Sequence, residues 1–394
     1  MIHGFSFKNF YSFRDWCDIS LEVRRQAPGD ARFAEAPTGE RIAKLMAVIG
    51  PNGSGKTNLI KPLVFLNGFL KESFQHEPEG PIPIRTHFFS DEEAAQFELR
   101  FDQDGARWRY ELAVTRGQVM REALFRKTST LFSYVFKRHW DEAIGAYEIK
   151  QQGFGLRPGE AARVRRNASL IATAAQYEIP LASRLIQLPL YTNLVESGRG
   201  ASYPSTLDRA TWLYLAMPQV AKRMNSLLQG WDLGLQGVEL RPVKLRDQHG
   251  QEGQVLLPFG IHRRGGREVS LDLAWESSGT QGAYRLLSHL LPALESGGVA
   301  VIDELESDLH PHMLVPILDL FISPETNPRQ AQLIFTCHAP EVLNLLHKSQ
   351  VMLVEKSDQG ASNAWRLDTV RGVRNDDNLY GRYMAGAFAA VPEV

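Results

Sequence analysis

Cysteine is scarce. Cys17 and Cys337 are the only two in 394 residues, too few for a disulfide framework and in keeping with a reducing cytosol. Long apolar runs are missing too: none approaches the roughly 20 residues of a membrane-crossing helix. The opening Met1-Ile2-His3-Gly4-Phe5 has no basic stretch followed by an apolar one, so no secretory signal is expected. Nor does charge of one sign dominate. With 44 basic against 45 acidic side chains, no overall field demands nucleic acid or a membrane surface. A cytoplasmic protein with no membrane partner is expected, long enough for two or three domain-sized units.

What is present is sharper. Gly50 to Thr57 fills the pattern G-x-x-x-x-G-K-[ST], after an apolar run over 45–49 and before a helical pattern over 59–70 that contains Pro62. A strand, a glycine-rich loop and a helix start together make a phosphate cradle. The glycines let backbone amides approach closely, and the new helix turns its N–H groups toward the anion. Asn52, Gly53, Ser54, Gly55, Lys56, Thr57 and Asn58 are therefore the nucleotide-binding candidates. Lys56 is placed for the β- and γ-phosphates and the Thr57 hydroxyl for Mg²⁺. The chain is expected to bind a nucleoside triphosphate.

Three regions are expected. Residues 1–152 read as an N-terminal lobe: alternating strands at 2–7 and 19–23, a loose loop over 25–40, the phosphate loop, then strands at 96–101, 108–115, 119–125 and 132–136 that suggest an antiparallel sheet. Residues 153–245 read as a helical arm, entered through a glycine-rich hinge at 153–159. It carries an apolar stripe at Leu213, Met217, Val220, Met224, Leu227 and Leu228, with breaks near Pro180, Pro189, Pro204 and Pro218. Arg157, Arg163, Arg165 and Arg166 at its start read as a solvated face, with a nucleic-acid contact as the competing reading. Residues 246–394 read as a C-terminal lobe.

That lobe holds the other half of the chemistry. The apolar strand 299–302 ends in Asp303-Glu304, where Asp303 can support Mg²⁺ and Glu304 can polarise an attacking water. Another apolar strand, 332–336, leads to Cys337-His338, and His338 can contact a γ-phosphate. Glu276-Ser277-Ser278-Gly279 precedes a helical run over 282–294, so Ser278 and Gly279 lie at a second helix start suited to an anion.

The order of phosphate loop, Ser-Gly turn, Asp-Glu strand and terminal histidine resembles the ABC-type ATPases of the SMC and RecF group. Asn9-Phe10-Tyr11-Ser12-Phe13 and Gly55-Lys56-Thr57-Asn58-Leu59 are similar to that group. Glu276-Ser277-Ser278-Gly279-Thr280, Asp303-Glu304-Leu305-Glu306-Ser307-Asp308-Leu309-His310-Pro311 and the stretch 383–392 resemble the abortive-infection-type AAA/ABC ATPases. These are relatives of AbiL, RloA and the ATPase half of OLD nucleases. The resemblance implies an α/β fold of the ABC-type P-loop head, with a mixed central sheet, flanking helices, an antiparallel β-subdomain and a helical arm. It implies ATP and Mg²⁺ as cofactors, Thr57 and Asp303 at the metal, Glu304 as the catalytic base and His338 as a switch histidine. Ser278 and Gly279 would reach the nucleotide of a second subunit in a head-to-tail homodimer, with Ser307, Asp308 and His310 in the loop that crosses the interface.

Some positions depart from the wider group. Tyr11 stands where many SMC-type heads carry a basic residue, and His310 stands where they carry an aspartate, as it does in the OLD-like branch. The chain between Thr57 and Ser278 is too short for a long coiled coil, and the stretch after His338 is too short for the nuclease domain of OLD proteins. The expectation is an ATPase that dimerises on nucleotide and controls a separate effector, a nuclease or toxin, in antiphage defence, within a dimer or a larger assembly. A RecF- or SMC-like DNA-binding repair ATPase and a nucleotide-locked scaffold with little turnover are the other readings.

Overall fold

The computed structural model describes residues 1–24, 27–37, 39–90, 93–195, 198–199, 205–231, 233–246, 252–374 and 376–391. Strands β1 (Ile2–Lys8) and β2 (Cys17–Ser20) are followed by a short hairpin, β3 (Phe33–Glu35) and β4 (Arg41–Ala43). Its first strand, β3, lies inside the stretch 25–40 read from sequence as a loose loop, and β4 directly follows it; three-residue strands are too short to show a period. Next come β5 (Leu45–Ile49) and α1 (Lys56–Glu72), one continuous helix through Pro62. A meander follows: β6 (Ala95–Gln103), β7 (Ala106–Val114), β8 (Val119–Lys127), β9 (Phe132–Asp141) and β10 (Ala146–Gln151). With β1 and β2 it forms a seven-stranded antiparallel sheet ordered β10-β9-β8-β7-β6-β1-β2.

The stretch 153–245 differs from a purely helical arm. It contains α2 (Pro158–Ala161), α3 (Leu170–Gln176), α4 (Pro180–Leu185), α5 (Ser205–Ala216) and α6 (Pro218–Gly230), but also β11 (Leu190–Thr192), β12 (Leu194–Val195), β13 (Gly198–Arg199) and β14 (Gly237–Arg246). Pro180 and Pro218 open helices, where a missing N–H costs nothing, and Pro204 lies outside the described residues. Because Pro218 starts a new helix, the apolar stripe is split, and Val220, Met224 and Leu228 form the buried face of α6. β14 pairs with β15 (Glu252–Arg264), and β15 with β16 (Arg267–Asp272), as a second antiparallel meander. The chain ends with α7 (Ser278–Ser296), β17 (Val299–Ile302), α8 (Leu314–Ile322), β18 (Gln332–Thr336), β19 (Val351–Lys356), β20 (Ser362–Arg366) and α9 (Leu379–Met384). Pro392, at the end of the 383–392 motif, lies outside the described residues.

The central sheet is mixed and six-stranded, ordered β11-β17-β18-β5-β19-β20, with only the β20 pairing antiparallel. Its inner strands β5 and β17 are apolar throughout because both faces are covered. Along β5, Met46 and Val48 enter the core shared with α1 and the antiparallel sheet, while Leu45, Ala47 and Ile49 enter the core under α7 and α8. β17 divides in the same way, Val299 and Val301 against Ala300 and Ile302. This arrangement has the mixed central sheet, flanking helices and antiparallel β-subdomain expected from sequence. Among the described residues no helix is long and apolar enough to cross a membrane, and both cysteines are buried and free.

Candidate nucleotide site

Strand order builds the site. β17, β18 and β5 are parallel neighbours, so the segments after their C-terminal ends converge on one edge, where α/β sheets bind ligands. Those segments carry Asp303 and Glu304, then His338, then the phosphate loop. Asn52, Gly53, Gly55, Lys56, Thr57, Asn58, Glu304 and His338 line one open cleft of about 640 Å³.

The loop is shaped by its glycines. Gly53 and Gly55 have φ of +74° and +110°, a region L side chains rarely adopt. A Cβ on Gly50 would run into the Val354 carbonyl, and one on Gly55 into the Ser12 and Ser362 hydroxyls. α1 begins at Gly55 with no side-chain cap and no acid in its first turn, which leaves its leading amides and positive end available to an anion. Ser54 is buried and its Oγ has no hydrogen-bond partner. Lys56 Nζ donates to the carbonyls of Gly50 and Pro51 at 2.9 and 3.0 Å. Burial lowers its pKa, and Glu306, then Asp303 and Glu304, oppose that effect.

Thr57 Oγ1 lies 2.9 and 3.1 Å from the two carboxylate oxygens of Asp303. Among the described residues no group of three or more His, Cys, Asp or Glu side chains could hold a metal. The oxygens of Thr57 and Asp303, completed by phosphate and water, suit the hard, incompletely protein-ligated coordination of Mg²⁺. The donor set fits that ion.

The supports at Thr336, Asn193 and Ser362 carried no sequence signal. Thr336 Oγ1 donates to Asp303 Oδ1 at 2.7 Å and accepts the Glu304 N–H at 2.7 Å. Asn193, just after β11, holds the main chain of Asp303 from both sides: its Nδ2 donates to Asp303 O at 2.9 Å and its Oδ1 accepts Asp303 N at 2.8 Å. Ser362 donates to the Ser54 carbonyl at 2.6 Å, and Asn58 donates to Ser12 at 2.9 Å. Glu304 itself has φ +51°, a strained backbone for a non-glycine residue and frequent at functional sites. Its Oε1 lies 3.5 Å from His338 Nε2, and both side chains are partly exposed to the cleft.

Ser278, Gly279, Ser307, Asp308 and His310 do not line this cleft. They form a second group. Ser277 caps α7 by accepting the Thr280 N–H at 3.1 Å, leaving Ser278 exposed beside it. A Cβ on Gly279 would sit 3.2 Å from Asp308 O, and one on Gly282 3.0 Å from Asp308 Cβ, so the helix start packs on the Ser307 and Asp308 backbone. Arg285 NH2 lies 3.5 Å from Asp308 Oδ2 and ties the two further. His310 accepts the His312 N–H at 3.3 Å. Of the four clustered arginines, Arg165 donates to the carbonyls of Phe74 and His76 and Arg166 stacks on Trp140. These two are committed to the fold. Tyr11, with φ +50°, lies under Lys61 at 4.0 Å.

No curated protein matches the chain. Among solved structures, it is similar to an SMC head bound to the C-winged helix domain of ScpA, at 13% identity and a TM-score of 0.48 over 94% of this chain and 99% of that one. The family model described as "AAA domain, putative AbiEii toxin, Type IV TA system" matches residues 45–344. That span runs from β5 through the phosphate loop, Asp303, Glu304 and His338. The chain belongs to this AAA-domain family, the abortive-infection-type branch of the P-loop ATPases.

Proposed function

We propose that the chain binds ATP with Mg²⁺ and hydrolyses it in a head-to-tail homodimer, and that this cycle holds or releases a separate effector, a nuclease or toxin, in antiphage defence. One observation carries the reading: Thr57, Asp303, Glu304 and His338 meet over the phosphate loop at the ends of three adjacent parallel strands. Lys56 and the loop amides bind the phosphates. Bound Mg²⁺ supplies neutralisation of the developing phosphate charge. Glu304 accepts the proton of the attacking water, and His338 donates to the terminal phosphate and loses that contact when it leaves. Ser278 and Gly279, packed on the Ser307 and Asp308 loop, face a partner's nucleotide, so closure joins two copies and hydrolysis parts them.

The defence role rests on the family, whose description names AbiEii toxins and type IV toxin–antitoxin systems. Phosphate release tests the enzyme: Lys56→Ala should lower turnover by at least about 100-fold, as expected when phosphate electrostatics are removed. Equal turnover in the variant and the parent would refute it. Co-purification of an effector that depends on ATP rather than ADP would test the control role, and nucleotide-independent capture would count against it.

A further inference from the structure

Glu306 has no role in the scheme above, yet it touches the site through His338. Its Oε1 accepts the backbone N–H of His338 at 2.5 Å. Its Oε2 is buried with no nitrogen or hydroxyl donor on it, and the carboxylate's other neighbour is the Cys337 thiol, a weak donor; so thinly satisfied a buried acceptor is costly to the fold. We propose that Glu306 is a positioning residue with two tasks: it ties the His338 backbone to the Asp-Glu loop, and it sets a further negative charge beside Lys56 and the phosphate loop so that product is released. The proposal rests on the nucleotide-site reading above.

Three further observations support it. Leu305 N donates to Thr336 O at 3.0 Å, which continues the β17–β18 pairing past the strand ends and turns the next side chain toward His338. Among the carboxylates that act on Lys56, Glu306 has the largest effect, ahead of Asp303 and Glu304. The neighbouring Cys337 thiol is pushed up first by burial and then by Glu306. A carboxylate so placed attracts the loop lysine and repels bound phosphate. It therefore weakens the grip on ADP, while its other oxygen holds the histidine that reads the terminal phosphate.

The two tasks separate by substitution. Glu306→Gln keeps a carbonyl oxygen for the His338 N–H and removes the charge; Glu306→Ala removes both. In the full-length protein with Mg²⁺, fluorescent ADP should bind Glu306→Gln roughly three- to tenfold more tightly than the parent, the size expected of one nearby, partly screened charge. Both variants should show that tightening. Turnover should fall at least about tenfold further in Glu306→Ala than in Glu306→Gln, because only the alanine frees His338. A residue that merely supports the fold would not tighten ADP binding on substitution. Unchanged or weaker ADP binding by Glu306→Gln, or equal turnover of the two variants, would overturn the proposal while leaving the nucleotide site standing. Failure of the parent itself to bind ADP would overturn both.

Discussion

Thr57 Oγ1 sits 2.9 and 3.1 Å from the carboxylate oxygens of Asp303, a residue 246 positions later in the chain. The contact joins the first turn of α1 to the end of β17. It exists because β18 spaces the two strands so that their C-terminal ends share one edge. A second hydroxyl on Asp303 is that of Thr336, at 2.7 Å. The carboxylate is held by the fold itself, which lowers the cost of the Mg²⁺ binding proposed above.

Asp303→Asn should keep this geometry and lose the charge a cation needs. ATP affinity measured by calorimetry should drop by about 10–100-fold in Mg²⁺, the range typical when metal-site support is removed, and stay near the parent value in EDTA. An equal loss in both buffers would point to a folding defect and against a metal role for Asp303.

Asn193→Ala tests the clamp on the Asp303 main chain. Two hydrogen bonds of 2.8 and 2.9 Å disappear, one of them leaving an N–H without its partner, at a cost of about 1–3 kcal/mol. Thermal unfolding should report that loss, and turnover should fall more than ATP affinity because Glu304 follows Asp303 directly. A variant with the parent's melting temperature and turnover would show the clamp to be idle.

Asn193 also marks where sequence reading ended. The phosphate loop, β5, Asp303, Glu304 and His338 were legible because each sits at the end of an apolar run long enough to read as a buried strand. Asn193 follows a strand of three residues, β11, whose place in the central sheet depends wholly on tertiary pairing with β17. Ser362 was invisible for a related reason: a serine that buttresses a loop some 300 residues away has no local pattern, only a contact. Four strands of the first antiparallel meander were legible, since one buried and one wetter face give a period of two, while β10 (Ala146–Gln151), at the sheet's edge, was not. β19 was not recognised, although it is the other parallel neighbour of β5. The 153–245 stretch misled because helices α5 and α6 dominate its periodicity and conceal the strands on either side.

Glu122 and Arg138 form an ion pair with both side chains fully buried. Glu122 also accepts from Tyr110, Ser169 and the Leu170 N–H, and so fixes the start of α3 to the antiparallel sheet. Glu122→Ala leaves the guanidinium buried without its counter-ion and should cost about 3–5 kcal/mol in urea unfolding. A loss below about 1 kcal/mol, the range of surface pairs, would contradict a buried role.

His289, on α7, is pushed down to about 4, first by burial and then by the charge of Arg209. Its ordinary value is about 6.5. Between those values the unfolded chain binds the extra proton, so stability from this residue is full above pH 6.5 and is lost as pH falls toward 4. The ceiling is about 3 kcal/mol. Unfolding of the parent should weaken over that window, and His289→Gln should flatten the slope. An identical pH slope in the variant would remove His289 as its source.

The central claim is that one copy's phosphate loop and another copy's Ser278 and Gly279 enclose the same triphosphate. Light scattering coupled to size exclusion on Glu304→Gln, run with ATP and Mg²⁺, tests it most directly, since blocking hydrolysis should trap the closed state. A dimer that forms with ATP, is absent with ADP and is lost when Ser278→Arg is added is the predicted result. A Glu304→Gln protein that binds ATP and still elutes as a monomer would contradict the account.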